Sequence, residues 1–229
     1  MNLRKIFHRQ IYGITCFEKS LGRGNLYVVK KMLESGIRII QYREKYRNSR
    51  EKLAECLHIR ELTKKYGAVF IVNDSPALAV LSGADGLHLG QEDLPVFAAR
   101  KLIKKNMFIG VSTHSPAQAK KAAAEGADYI GVGPVFKTDT KENPCKPVGI
   151  KYVRYAAKNA AVPFVAIGGI KEHKLDEVLE AGAYCVCLVS EITAARDIKR
   201  KVSGIFAHLI KHDSHSAARW RGGAVRGRG

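Results

Sequence analysis

Residues 82–90 read Ser82-Gly83-Ala84-Asp85-Gly86-Leu87-His88-Leu89-Gly90, a joint between the end of a helix and the start of a strand. A helical pattern stops at Gly83, where a left-handed C-cap favours a residue without Cβ. An apolar run follows almost at once. The joint recurs as Glu125-Gly126-Ala127-Asp128 and as Ala181-Gly182-Ala183-Tyr184, each again passing from helix to strand. Repetition of one passage points to a repeated βα unit.

The same alternation extends over the rest of the chain. Strand candidates lie at 12–16, 38–43, 69–74, 86–90, 107–112, 129–135, 164–168 and 184–190. Helical patterns fall between them at 25–35, 49–66, 76–81, 95–104, 116–125, 150–158, 173–181 and 193–210. Many strands are nearly continuous in apolar residues, as expected when both faces are covered. Gly36, Gly67 and the glycines of the joints end helical patterns. Ser75-Pro76 and Ser115-Pro116 read as an N-cap followed by proline at the first helical position. Eight such units predict a single (β/α)8 TIM barrel, with a doubly wound open sheet as the structural alternative. The barrel domain is expected at 1–213, followed by a basic, disordered tail at 214–229 carrying Arg219, Arg221, Arg226 and Arg228.

The 229 residues, 46% of them hydrophobic, suffice for one buried core. No apolar run approaches the ~18 residues of a membrane span. The basic first ten residues lack the apolar segment of a secretory signal, so the expected location is cytoplasmic and no membrane partner is expected. Five cysteines without a regular framework argue against a disulfide scaffold, and Cys185 and Cys187 read as buried strand residues. The net charge of +18 raises a nucleic-acid reading, but the charges are spread over most helices and anionic small substrates would also favour them. Nucleic acid is therefore expected at most as weak contacts of the tail. A homo-oligomer stays open.

In a barrel of this type the chemistry lies at the C-terminal ends of the strands. The second strand ends in Gln41-Tyr42-Arg43-Glu44-Lys45. Positions 41, 43 and 45 share a face; if that face is the inner one, a fork-shaped and a point cation reach the mouth together, which would suit a phosphorylated ligand. The plainer alternative is a solvated strand end. Asn73-Asp74 closes the third strand and Asp93 follows the fourth. Asp74 doubles as a helix-start residue, yet two carboxylates after adjacent strands beside a phosphate suit Mg²⁺. Ser112 ends the fifth strand as a hydrogen-bonding group, and His114 reads as a loop residue. The long loop 136–148 carries Thr138, Asp139, Thr140 and Lys141, either as a lid or as a polar turn. Gly168-Gly169 and Ser190 end the last two strands, where such barrels build phosphate sites. Two anion sites in one mouth imply two phosphorylated small-molecule substrates. One combines Gln41, Arg43, Lys45, Asp74 and Asp93; the other combines Thr138, Thr140, Gly169 and Ser190.

Seven ordered motifs then resemble thiamine-phosphate synthases over residues 10–210: Gln-x-Arg-Glu-Lys, Asn-Asp, Asp-Gly-Leu-His-Leu-Gly-Gln-x-Asp, Gly-x-Ser-Thr-His, Gly-Pro-x-Phe-x-Thr-x-Thr-Lys, Ile-Gly-Gly-Ile and Val-Ser. The resemblance implies a transferase that joins hydroxymethylpyrimidine diphosphate to thiazole phosphate and releases pyrophosphate by a dissociative route. It implies that Gln41, Tyr42, Arg43, Glu44, Lys45, Asn73, Ser112 and Lys141 bind the pyrimidine diphosphate, with Arg43, Lys45, Ser112 and Lys141 acting in catalysis. It implies that Asp74 and Asp93 ligate Mg²⁺, and that Thr138, Asp139, Thr140, Gly169, Val189 and Ser190 hold the thiazole phosphate. Tyr42 stands where Leu is usual, and its side chain is expected to point away from the mouth. Lys137 stands where Pro is usual, which would loosen the loop or add charge near a phosphate. The related thiazole tautomerase, an isomerase, would use His114 and lack Asp93 and the Thr-x-Thr-Lys loop. A basic RNA- or DNA-binding protein would need aromatics among the tail's arginines, and the tail has only Trp220.

Overall fold

The computed structural model describes residues 2–140 and 145–212. Eight parallel strands close into a barrel in chain order: β1 (Gln10–Ile14), β2 (Ile39–Tyr42), β3 (Val69–Asn73), β4 (Gly86–Leu89), β5 (Phe108–Thr113), β6 (Tyr129–Val132), β7 (Phe164–Ile167) and β8 (Cys185–Cys187). The first strand pairs with the last, through Gln10 opposite Cys185 and Ile11 opposite Val186, so no edge remains open. The helices are α1 (Leu3–Phe7), α2 (Asn25–Glu34), α3 (Ser49–Lys65), α4 (Pro76–Ser82), α5 (Val96–Leu102), α6 (Pro116–Ala124), α7 (Gly149–Asn159), α8 (Leu175–Glu180), α9 (Val189–Thr193) and α10 (Ile198–Lys211). The closed barrel settles the choice against an open sheet. No helix among the described residues is long and apolar enough to cross a membrane.

The expected punctuation is present. Gly36, Gly67, Gly83, Gly126 and Gly182 all take positive φ after a helix. Ser75 and Ser115 accept hydrogen bonds from Leu78 N and Gln118 N, with proline next in line. Asn48 and Glu51 form a reciprocal capping box on α3, each side chain bonding the other's backbone N–H. The last helix buries Ile198, Val202, Ile205 and Leu209, a stripe at helical spacing, and starts at the capping carboxylate of Asp197.

Two apolar layers result. One lies between the strands and the helices, and contains Ile40, Phe70, Leu87 and Val186. The other fills the barrel with Ile14, Ile39, Ile71, Phe108, Tyr129, Cys185 and Cys187, and Phe7 of α1 plugs it from below. Large rings fit there because glycines face them. A Cβ on Gly110 would stand 2.0 Å from the Tyr129 ring of its register partner. Burying a ring such as Phe108 contributes about 2 kcal/mol. The two strand cysteines are buried, as expected.

Several boundaries differ from expectation: β1 runs over Gln10–Ile14 where 12–16 was expected, and β6 ends at Val132 where 135 was expected. α1 was not anticipated, because five residues are too few to show a helical period. β8 stops at Cys187, and Val189 and Ser190 open the short helix α9. The expected helix 193–210 is therefore two helices, separated by the cap at Asp197. Residues 213–229, which contain the basic tail, lie outside the described residues.

Candidate active site

The mouth end of β2 is clamped to β1 by one buried side chain. Thr15 Oγ1 donates to Arg43 O (2.9 Å) and accepts from Arg43 N (2.8 Å). Gln41 pairs in register with Ile14 and Ile71, both of which fill the barrel, so its side chain points inward. Arg43 and Lys45 follow at the same alternation. The Arg43 guanidinium has no ion-pair or hydrogen-bond partner among the described residues. Lys45 Nζ stands 2.8 Å from Asp74 Oδ2.

Asp74 follows β3 with φ 62°, a left-handed conformation that costs a non-glycine residue about 1–2 kcal/mol. Its N–H donates to His88 O (2.8 Å), which fixes it beside β4. Asp93 is half-buried and accepts from Gly90 N at 2.6 Å. Burial, followed by the neighbouring Asp74 carboxyl, pushes the Asp93 carboxyl above its ordinary value. Two carboxyls thus meet beside one lysine, although repulsion disfavours the arrangement. Backbone strain and like charge thus coincide at this point. Among the described residues no cluster of three His, Cys, Asp or Glu could hold a metal by itself. A carboxylate pair completed by water and phosphate oxygens is what Mg²⁺ accepts.

Beneath the mouth runs a buried polar chain. Gln41 Nε2 donates to Tyr12 OH (2.8 Å), which lies 2.7 Å from Tyr129 OH. Tyr129 OH meets His88 Nδ1 at 2.8 Å, and His88 Nε2 meets Ser112 Oγ at 3.0 Å. Burial pushes both phenols well above their ordinary value, so they stay protonated. Sequence reasoning missed Tyr12, His88 and Tyr129 as site residues. Their only signal was a polar atom at an inward register position in strands that otherwise read as apolar.

The second cluster is held by backbone. Val135 N donates to Ile167 O (3.0 Å) and Phe136 N to Gly168 O (2.9 Å), which seats the loop after β6 on the end of β7. Only glycine fits at 169: φ is 66°, and a Cβ would lie 2.4 Å from Lys137 O. Thr138 Oγ1 accepts from Thr140 N (3.3 Å) and lies 3.3 Å from Thr140 Oγ1. Lys171, unmarked in the sequence reading, places Nζ 3.2 Å from Ser190 Oγ and 3.3 Å from Glu191 Oε1. Glu191 also receives Lys201.

Expected site residues separate accordingly. Gln41, Arg43, Lys45, Asp74, Asp93 and Ser112 gather around the first half of the mouth. Asn73 ends β3 opposite His88. Gly169, Thr138, Thr140, Val189 and Ser190 gather around the second. The side chains of three others do not join them. Tyr42 OH donates to Glu55 Oε2 (2.7 Å) in the layer between strands and helices, as its outward register requires. Glu44, its side chain only 1% exposed, accepts from Asn25 Nδ2. Asp139 turns outward to Lys19, 84% exposed, and the ammonium holds its carboxyl below the ordinary range. These three can offer a ligand only backbone atoms. Lys141 lies outside the described residues. His114 Nδ1 is engaged by Gly133 O at 2.5 Å, consistent with a loop-anchoring role.

Comparison with known proteins identifies the family. The sequence profile described as thiamine monophosphate synthase matches residues 11–192. A thiamine-phosphate synthase of Pelotomaculum thermopropionicum is 55% identical over 211 residues, covering 92% of this chain and 97% of the relative. One of Caldicellulosiruptor bescii is 56% identical over 199 residues, covering 87% and 91%. The solved thiamine phosphate pyrophosphorylase of Pyrococcus furiosus superposes with a TM-score of 0.84 at 32% identity, over 92% of this chain and 99% of that one. A barrel with these motifs in this order, similar along its length to such enzymes, belongs to the thiamine monophosphate synthase family.

Proposed function

We propose that the two clusters of the mouth are the two substrate subsites of the family reaction. The chain is a transferase that makes thiamine phosphate. The observation that carries the assignment is the pair Asp74 and Asp93 beside Lys45 and an Arg43 guanidinium without a partner among the described residues. Such a set suits a diphosphate with its divalent cation. Asp74 and Asp93 would hold Mg²⁺, which would supply neutralising charge to the diphosphate. Arg43 and Lys45 bind the same group. Their attraction grows as the carbon–oxygen bond breaks and charge collects on the departing pyrophosphate, so they favour the transition state over the bound substrate.

Gln41, Asn73 and Ser112 orient the pyrimidine. Tyr42 and Glu44 contribute only their backbone. Lys141 is assigned a second cationic role at the same diphosphate, on the strength of the family motif. In the other half, Gly169, Val189 and the hydroxyls of Thr138, Thr140 and Ser190 hold the thiazole phosphate, Asp139 offers its backbone, and Lys171 supplies a counter-charge. The ring nitrogen of the thiazole then captures the pyrimidine cation. This reaction needs positioning and charge, not a strong general base, and neither cluster contains one. Free cysteines among the described residues suit a reducing cytoplasm. The catalytic unit is assigned to 1–213, leaving the arginine-rich 214–229 outside it.

Single-turnover product formation tests the reading. Purified chain, hydroxymethylpyrimidine diphosphate, thiazole phosphate and Mg²⁺ should give thiamine phosphate, with no product when metal is chelated. Asp93→Ala should slow the reaction by about 100-fold or more. A folded barrel that binds thiazole phosphate but forms no product would sink the reading and bring forward an isomerase acting through His114.

A further inference from the structure

The four contacts from Gln41 to Ser112 differ from a set of separate hydrogen bonds, because each hydroxyl has one proton to give. Gln41 Nε2 can only donate, and it donates to the Tyr12 oxygen. The Tyr12 proton is then directed to the Tyr129 oxygen. Tyr129 directs its own proton to His88 Nδ1. A neutral imidazole that accepts at Nδ1 carries its proton on Nε2, and it donates to Ser112 Oγ. The serine proton is the last in the series and is left for a group other than His88.

From this order we infer that Tyr12, Tyr129 and His88 are positioning residues that fix Ser112 as a hydrogen-bond donor to the pyrimidine diphosphate. The inference rests on the reading that places Ser112 at that substrate. Burial makes the order binding: Tyr12, Tyr129 and His88 are 1%, 0% and 8% exposed, so water cannot readily replace a lost link. Plain core filling would not need the oxygens, since phenylalanine has nearly the same shape and no polar atom to satisfy. The chain also joins two strands that each present a substrate-facing group, Gln41 on β2 and Ser112 on β5. Reorienting one of these groups therefore reorients the other.

The test combines histidine ¹⁵N NMR with kinetics on the full chain. His88→Gln assigns the His88 signal among the eight histidines. Wild type should show the Nε2–H tautomer, and Tyr129→Phe should lose it. Tyr129→Phe should lower kcat about tenfold, the scale of one hydrogen bond, and leave the KM for the diphosphate within about twofold. Combined with Ser112→Ala it should be no slower than Ser112→Ala alone, because both changes remove the same donor. His88→Gln, whose amide N–H can reach toward Ser112, should retain more activity than His88→Ala. Should Tyr129→Phe not fold, His88→Ala combined with Ser112→Ala carries the same comparison. An Nδ1–H tautomer in wild type, or additive losses in the double variant, would overturn the inference. A slow Ser112→Ala beside a fast Tyr129→Phe would overturn the inference alone. A normal Ser112→Ala would remove Ser112 from the substrate site and the inference with it.

Discussion

The two ends of the barrel use aspartate in opposite ways. At the bottom, Asp85 precedes β4 and Asp128 precedes β6, both at the repeated Gly-Ala-Asp joint. Asp85 Oδ2 accepts from Arg60 Nη1 (2.7 Å) and Phe70 N (2.8 Å). Asp128 Oδ2 accepts from Arg100 Nη2 and from Ile109 N (2.7 Å). Each carboxylate ties a helix to the start of a neighbouring strand, and its charge is matched. The third copy of the joint has Tyr184 in that place, which stacks on the His8 ring at 5.3 Å instead. At the mouth, Asp74 and Asp93 face each other, one in a left-handed backbone and the other with its ionised form disfavoured by burial and by its neighbour. The bottom gives each carboxylate its own guanidinium, while the mouth sets two carboxyls beside one lysine. Stability should therefore depend on one end and turnover on the other.

Asp74→Gly should break this contrast most visibly if it is mistaken. The change removes a carboxylate from the cation site and relieves the positive φ, which glycine adopts freely. Turnover should fall about 100-fold or more, while the melting temperature holds or rises. A lower melting temperature with turnover intact would make Asp74 a structural residue like Asp85. The converse change is Asp85→Ala. It strands the Arg60 guanidinium and the Phe70 N–H, both partly or wholly buried, and should cost about 2–3 kcal/mol. Thermal unfolding should come roughly 5–10 °C earlier for a chain of this size. KM for both substrates should stay unchanged in the folded fraction, and a raised KM would show that the bottom reaches the site after all.

The fold was legible because glycine and serine–proline punctuation acts locally. Gly83 and Gly126 ended helices where the pattern required, and the eight apolar runs all became barrel strands. The site was legible wherever alternation alone sets direction, as for Gln41 and the outward Tyr42. It failed where direction depends on a distant partner. Glu44 turns away from the mouth because Asn25 draws it, and Asp139 turns outward to Lys19. Neither of these partners is near in sequence, although Tyr46 N–H also donates to Glu44 Oε1. Lys171 was invisible for the same reason: only the fold brings the residue after Gly-Gly-Ile onto Ser190. The chain from Gln41 through Tyr12, Tyr129 and His88 to Ser112 required the register of five strands at once, which no local pattern records.

A third carboxylate sharpens the comparison with the smallest expected effect. Asp176 of α8 lies outside the barrel, and its Oδ1 contacts both His208 Nδ1 (2.6 Å) and His212 Nε2 (2.9 Å). It is matched like Asp85 but 43% exposed, so solvent screens it. The His208 hydrogen bond, against a weaker desolvation effect and with help from His212, holds its carboxyl below the ordinary value of 3.8. The folded pKa lies below the unfolded one, so the contribution is fully present above pH 3.8 and is lost as pH falls through the folded value. Asp176→Asn should therefore lower stability near neutral pH by at most about 1 kcal/mol, and the gap from wild type should close on acidification. Denaturant melts of both chains from neutral pH downward would read this directly. A gap that persists in acid would assign the effect to packing at the end of α10. A gap as large as that of Asp85→Ala would mean that burial is not what separates strong carboxylate contacts from weak ones in this barrel.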